Sequence, residues 1–191
     1  MGKFNGDVES LPKGEHKPGA VKFKEFDSPK KLALFMNGIG IILMIPLIII
    51  YIKLTESGIT GDNSLLIGAI IGVLLSLPHE CLHAICFKGD VYLYTNLKHG
   101  SLFVIGTEDM SKKRFIFLGL LPNIVFGFIP FIVFLFFPQL KIIGAIGLVG
   151  IPAGIGDYFN VFNSLTQMPK GARTYLHGFN SYWYMPSDEV K

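Results

Sequence analysis

Residues 65–87 read LLIGAIIGVLLSLPHECLHAICF. A helix of about 20 apolar residues crosses the hydrocarbon of a bilayer, so this run is long enough to span one. Its charged or titrating groups, His79, Glu80 and His83, crowd into its last third. Three further apolar runs flank it, at 32–51, 115–137 and 142–165, and Asp157 is their one charged residue. Across the chain, hydrophobic residues make up 50%, charged residues 16%, and the mean hydropathy is +0.49. A soluble domain carries about 25% charged residues. The fold expected is an all-α integral membrane protein. It is a bundle of four transmembrane helices with a short cytoplasmic β-hairpin between the second and third.

Lys and Arg set the orientation. Seven lie in residues 1–31, five in 88–114 and three after 165, whereas the other two connections hold one each, Lys53 and Lys141. Positive charge stays on the cytoplasmic side. Both termini and the 88–114 connection are therefore expected in the cytoplasm, in the multi-pass arrangement of a cell-membrane protein. Residues 1–31 lack the short apolar core of a cleaved signal, so the first span is read as an uncleaved targeting signal. The net charge of +3, with no basic stripe interleaved with aromatics, points away from a nucleic-acid partner and toward the bilayer.

The division expected is a cytoplasmic N-terminal segment at 1–31, a transmembrane core at 32–165 and a cytoplasmic interfacial tail at 166–191. The N-terminal segment shows no periodicity and is read as mobile. In the tail, Tyr175, Trp183 and Tyr184 read as an interfacial aromatic anchor. Residues 91–97 and 101–105 are rich in β-branched and aromatic residues about Lys98-His99-Gly100, the pattern of a hairpin at 91–105. Gly58 and Gly61 mark a short external loop. In the fourth run, Gly150 and Gly154 are four apart and would let a neighbouring helix approach closely. Cys81 and Cys86, five apart on one helix, point in different directions and are not expected to form a disulfide.

The ionisable residues then fall into one layer. His79 and His83, at i and i+4, project from one helical face, a spacing that suits two nitrogens on one Zn²⁺ at about 2.0–2.1 Å. Glu80 is displaced from that line and can reach a water without binding the metal, as a general base must. A catalytic zinc needs a third protein ligand. With the topology above, His79 and His83 lie ~12 and ~6 Å from the cytoplasmic end of their helix, and Asp157 ~12 Å from the end of the fourth. Asp157 is the third ligand on that depth. Asn123 and Asn160 share the layer, and Pro78, Pro122 and Pro152 remove helical N–H groups around it. Such breaks are tolerated where protein or a wet cavity satisfies the backbone.

Pro78-His79-Glu80-x-x-His83, the hairpin-like segment after it and Gly156-Asp157 in a later helix resemble the site-2 protease-like intramembrane zinc metalloproteases. Within that class the likeness is to the bacterial family of putative zincin peptidases. It covers roughly residues 65–165. Cys81-Leu82 replaces the common variant with Gly before the second His, and no Asn-Pro-x-Pro-type run precedes Asp157. The resemblance implies a peptidase with one Zn²⁺ per chain, His79, His83 and Asp157 as ligands and Glu80 activating water. Its substrate would be a peptide or membrane protein cut at or near the cytoplasmic face. A non-proteolytic metal-binding role as chaperone, adaptor or sensor, and a transport role, use the same ligands and stay open at this point, as does the oligomeric state.

Overall fold

The computed structural model describes residues 2–4, 7–26, 28–55, 63–96, 101–178 and 180–186. The external loop about Gly58 and Gly61 and the Lys98-His99-Gly100 turn lie outside them. The chain forms two compact units: Met1–Glu25, Glu80–Gly119 and Asn160–Lys191 make one, and Phe26–His79 with Leu120–Phe159 make the other. The elements in chain order are β1 (Gly2–Lys3), β2 (Val21–Lys22), α1 (Pro29–Thr55), α2 (Ser64–Leu74), α3 (Ser76–Ile85), β3 (Val91–Asn96), β4 (Ser101–Gly106) and β5 (Met110–Ser111). They continue with α4 (Lys112–Asn123), a π-helical turn at Ile124–Phe128, α5 (Ile129–Phe136), α6 (Lys141–Ala153), α7 (Ile155–Gln167), β6 (Arg173–His177) and β7 (Asn180–Tyr184).

The second unit is helical. α1 starts at Pro29, where a missing N–H is no loss, and Leu32 N–H bonds the Ser28 carbonyl at 3.0 Å. Tyr51 stacks on Phe134 with ring centroids 5.1 Å apart, over Phe131, Ala145, Leu148 and Ile151. Met44, Leu47 and Ile48 pack on that core, whereas Leu34, Ile41, Ile42 and Ile45 stand exposed. Large apolar side chains turned outward over such a length are compatible with a lipid-facing surface. α6 is packed by α1, α2, α5 and the π turn. Its glycines permit this: a Cβ on Gly150 would strike the Phe126 carbonyl.

Among the described residues, three helices are long and apolar enough to cross a membrane, at Lys30–Thr55, Ser64–Ile85 and Lys112–Phe136. Lys141–Ala153 and Ile155–Gln167 pass that test together, bent by 48°, which makes up to four spans. The fourth run is thus a broken helix rather than a straight one. Pro152 cannot donate to the preceding turn, and Gly154 N–H bonds Ile151 O in a tightened closing turn. The second span is interrupted at Leu75, three residues before Pro78, with Leu75 N–H on Ile71 O and His79 N–H on Leu75 O bridging the break, each at 2.9 Å.

The first unit corrects the all-α expectation, for its described residues form two small sheets. β3 and β4 pair antiparallel from Val91↔Gly106 to Asn96↔Ser101, as the hairpin reading expected, and β1 adds in parallel to β3. The second sheet, in the order β2-β7-β6-β5, was not expected. It draws the N-terminal segment into the fold: Val21 pairs with Trp183, and Phe23 is buried with Met168 and Ala172 beneath Trp183. The segment read as mobile is therefore partly structured. The tail aromatics are strand residues, Tyr175 buried and stacked on Tyr182 at 5.7 Å. Gly178, at φ 61°, takes the left-handed backbone that the turn after β6 requires. Lys112 Nζ reaches Met168 O at 2.6 Å and Leu165 O at 3.3 Å, satisfying carbonyls at the end of α7.

Candidate metal centre

α3 carries the three motif residues on one unbroken helix, with Pro78 in its first turn. The ligand atoms of His79, Glu80 and His83 lie within 4.8 Å of one another, His83 buried and the other two half-buried. The i, i+4 spacing produces this, since both imidazoles leave the same face one turn apart.

Each of these side chains is tied by a neighbour. His83 Nδ1 lies 3.0 Å from the Leu118 carbonyl of α4. A carbonyl only accepts, so Nδ1 carries the proton and Nε2 presents its lone pair. Glu80 Oε2 accepts the Val104 N–H at 2.8 Å. Because β4 is the outer strand of its sheet, that N–H belongs to the strand's open edge. His79 Nε2 lies 3.2 Å from Asp157 Oδ2. Asn123 Nδ2 donates to the same oxygen at 2.7 Å.

The end of α3 is fixed by charge. Arg114 Nε and Nη2 donate to the Cys86 carbonyl at 3.0 and 2.6 Å, and Arg114 pairs with Glu108. Burial pushes the Glu108 carboxyl up. The Gly89 and Lys88 N–H groups and the Arg114 guanidinium outweigh it and hold the group below the usual carboxylate range.

A metal ion with tetrahedral bonds of about 2.0–2.1 Å sets its ligand atoms about 3.3 Å apart, and the His79–Asp157 separation of 3.2 Å matches that edge. Ligating histidines characteristically give their second ring N–H to a carbonyl or carboxylate, and the Leu118 carbonyl does this for His83. Two imidazoles and a carboxylate are also the donor types of a catalytic zinc site. Among the described residues, His79, Glu80 and His83 form a group that could hold a metal ion.

The model of the family described as "Putative zincin peptidase" matches residues 70–173, just over half of the chain, from within α2 to the first residue of β6. The chain belongs to that family. The match includes His79, Glu80, His83, Asn123 and Asp157. No curated protein and no solved structure matches the chain. For this zincin-family member, zinc is the metal that both the family and the donor set point to.

The structure brings Asp157 to His79 and brings Asn123 to Asp157. Asn160, read as part of the same layer, is exposed. Cys81 is exposed and Cys86 half-buried, both as free thiols. His177 is bound to the N-terminal segment, its Nδ1 2.7 Å from Gly14 O. The Leu118 carbonyl and the Val104 N–H had no signal in the sequence, because any residue type supplies them.

Proposed function

We propose that this chain is a membrane-embedded, zinc-dependent peptidase of the site-2 protease-like kind. It hydrolyses a peptide bond near the cytoplasmic face of the cell membrane. His79, His83 and Asp157 hold one zinc ion per chain, and Glu80 is the general base. The observation that carries this reading is the 3.2 Å contact between His79 and Asp157, residues 78 positions apart. An intramembrane carboxylate and two imidazoles are costly in lipid and are characteristic of function.

When bound there, zinc would supply Lewis-acid chemistry, polarising the scissile carbonyl and lowering the pKa of its water to about 7. Glu80 takes the proton of the attacking water and passes it to the leaving amine. The Val104 N–H fixes the direction in which the carboxylate faces. The open edge of β4 offers an extended substrate segment a strand to pair with, beside Glu80. The Lys and Arg distribution supports cytoplasmic termini and entry of water from that side.

The test uses the full chain purified in detergent with a fluorogenic peptide library. Cleavage is expected, abolished by a zinc chelator and restored by zinc. Glu80→Gln keeps the metal and lowers kcat by about 10²–10⁴-fold, the contribution of a general acid–base group. Cleavage undiminished in Glu80→Gln overturns the mechanism. A cellular effect that needs His79 and His83 but not Glu80 instead establishes a non-proteolytic metal-binding role.

A further inference from the structure

We infer that Asn123 is a positioning residue for Asp157, and that Gly154 is glycine in order to admit the Asn123 side chain. The inference rests on the reading of Asp157 as a zinc ligand and adds the device that holds it.

Asn123 is 1% exposed, at the junction of α4 and the π turn. A primary amide at that depth is retained only where it is hydrogen-bonded. Its Nδ2 donates to Asp157 Oδ2 at 2.7 Å. Carboxylates that bind metal are held by such outer hydrogen bonds. The donor lies on the same oxygen that faces His79 Nε2, so it fixes which oxygen the carboxylate turns toward the imidazole.

Gly154 supplies the space. Its φ of −78° and ψ of 8° are open to any residue, so backbone freedom does not explain a glycine there. Volume does: a Cβ at 154 would fall on the Asn123 side chain, overlapping Oδ1 and Cγ and lying 3.1 Å from Nδ2. Gly156, two residues on and next to Asp157, has nothing within 4 Å of the same hypothetical atom. Of the two glycines just before the ligand, the space at one is filled by the amide that orients it and the other faces open space.

The test measures zinc affinity of the purified full chain by competition with a chromophoric chelator, together with thermal stability. Asp157→Ala comes first: unchanged affinity overturns the ligand reading itself. With that ligand established, Asn123→Ala and Gly154→Ala each weaken zinc binding by about ten- to a hundredfold, the usual effect of losing an outer-shell partner. Gly156→Ala binds as the wild type does.

The double variant Asn123→Ala/Gly154→Ala separates positioning from packing. Its added methyl enters the space the amide vacated, so thermal stability recovers relative to Gly154→Ala. Zinc affinity stays at the level of Asn123→Ala, because the donor is still missing. Should Gly154→Ala fail to fold, the double variant compared with Asn123→Ala carries the test. Affinity that recovers with stability, or wild-type affinity in Asn123→Ala, overturns the inference.

Discussion

His83 Nδ1 donates its proton to the Leu118 carbonyl at 3.0 Å, which leaves Nε2 as the nitrogen with a lone pair to give. The bond decides a tautomer that the motif alone leaves undecided, and it couples the second histidine to α4. With His83 proposed as a zinc ligand, His83→Ala is expected to remove a ligand rather than a neighbour. Its zinc affinity falls by more than the roughly hundredfold upper range of an outer-shell loss, read by chelator competition on the purified chain.

The Val104 N–H holds Glu80, and proline has none to give. Val104→Pro is sterically admissible at an edge strand. A hydrogen bond to a charged group is worth about 1.5–3 kcal/mol, so kcat falls about tenfold or more while zinc content is unchanged. Leu102→Pro places the same ring two residues earlier on the same edge and spares the Val104 N–H. Steady-state kinetics of the two variants, with Leu102→Pro the more active, checks the assignment.

In the sheet built from the two ends of the chain, Asp109 links β5 to β6 and β7. Arg173 Nε contacts its Oδ2 at 2.6 Å, and the Tyr184 hydroxyl donates to the same oxygen. The Arg173 hydrogen bond outweighs burial, and with Tyr184 it holds the Asp109 carboxyl below its ordinary 3.8. A group whose folded pKa is depressed stabilises the fold above its unfolded pKa and ceases to as pH falls through the folded value. Asp109→Asn should cost about 1 kcal/mol near pH 7, an amount reduced by solvent screening of a partly exposed pair. Melting curves of the two proteins should converge as pH drops below 3.8.

Orientation is testable apart from catalysis. Reporter fusions at residue 191, and within the 88–114 connection, should be active only as cytoplasmic reporters. Fusions between α1 and α2 should be active only outside. The reverse pattern contradicts the charge-based topology.

The spans were legible because apolar length needs no partner to be recognised, and His79 and His83 because i, i+4 geometry is local. The nearness of Asp157 to His79 was reachable through depth, a consequence of helical rise. The break at Gly154 had its signal in Pro152 and Gly154, yet a hydropathy run does not register a 48° bend. The terminal sheet was missed for a different reason. It joins Val21 to Trp183 across most of the chain, and Tyr175, Trp183 and Tyr184 have the same composition whether they anchor at an interface or pair as strands. Asn123 was visible as a polar residue in the layer, but its partner and the space at Gly154 depend on how α4 and α6 pack.

The most direct measurement of the central claim is the zinc content per chain of the purified protein beside that of Asp157→Ala, both monodisperse. One zinc per wild-type chain and a fall in the variant are expected, because Asp157, 3.2 Å from His79, is proposed as its fellow ligand. A wild-type chain that takes up no zinc, or an Asp157→Ala chain that keeps a full equivalent at wild-type affinity, contradicts it.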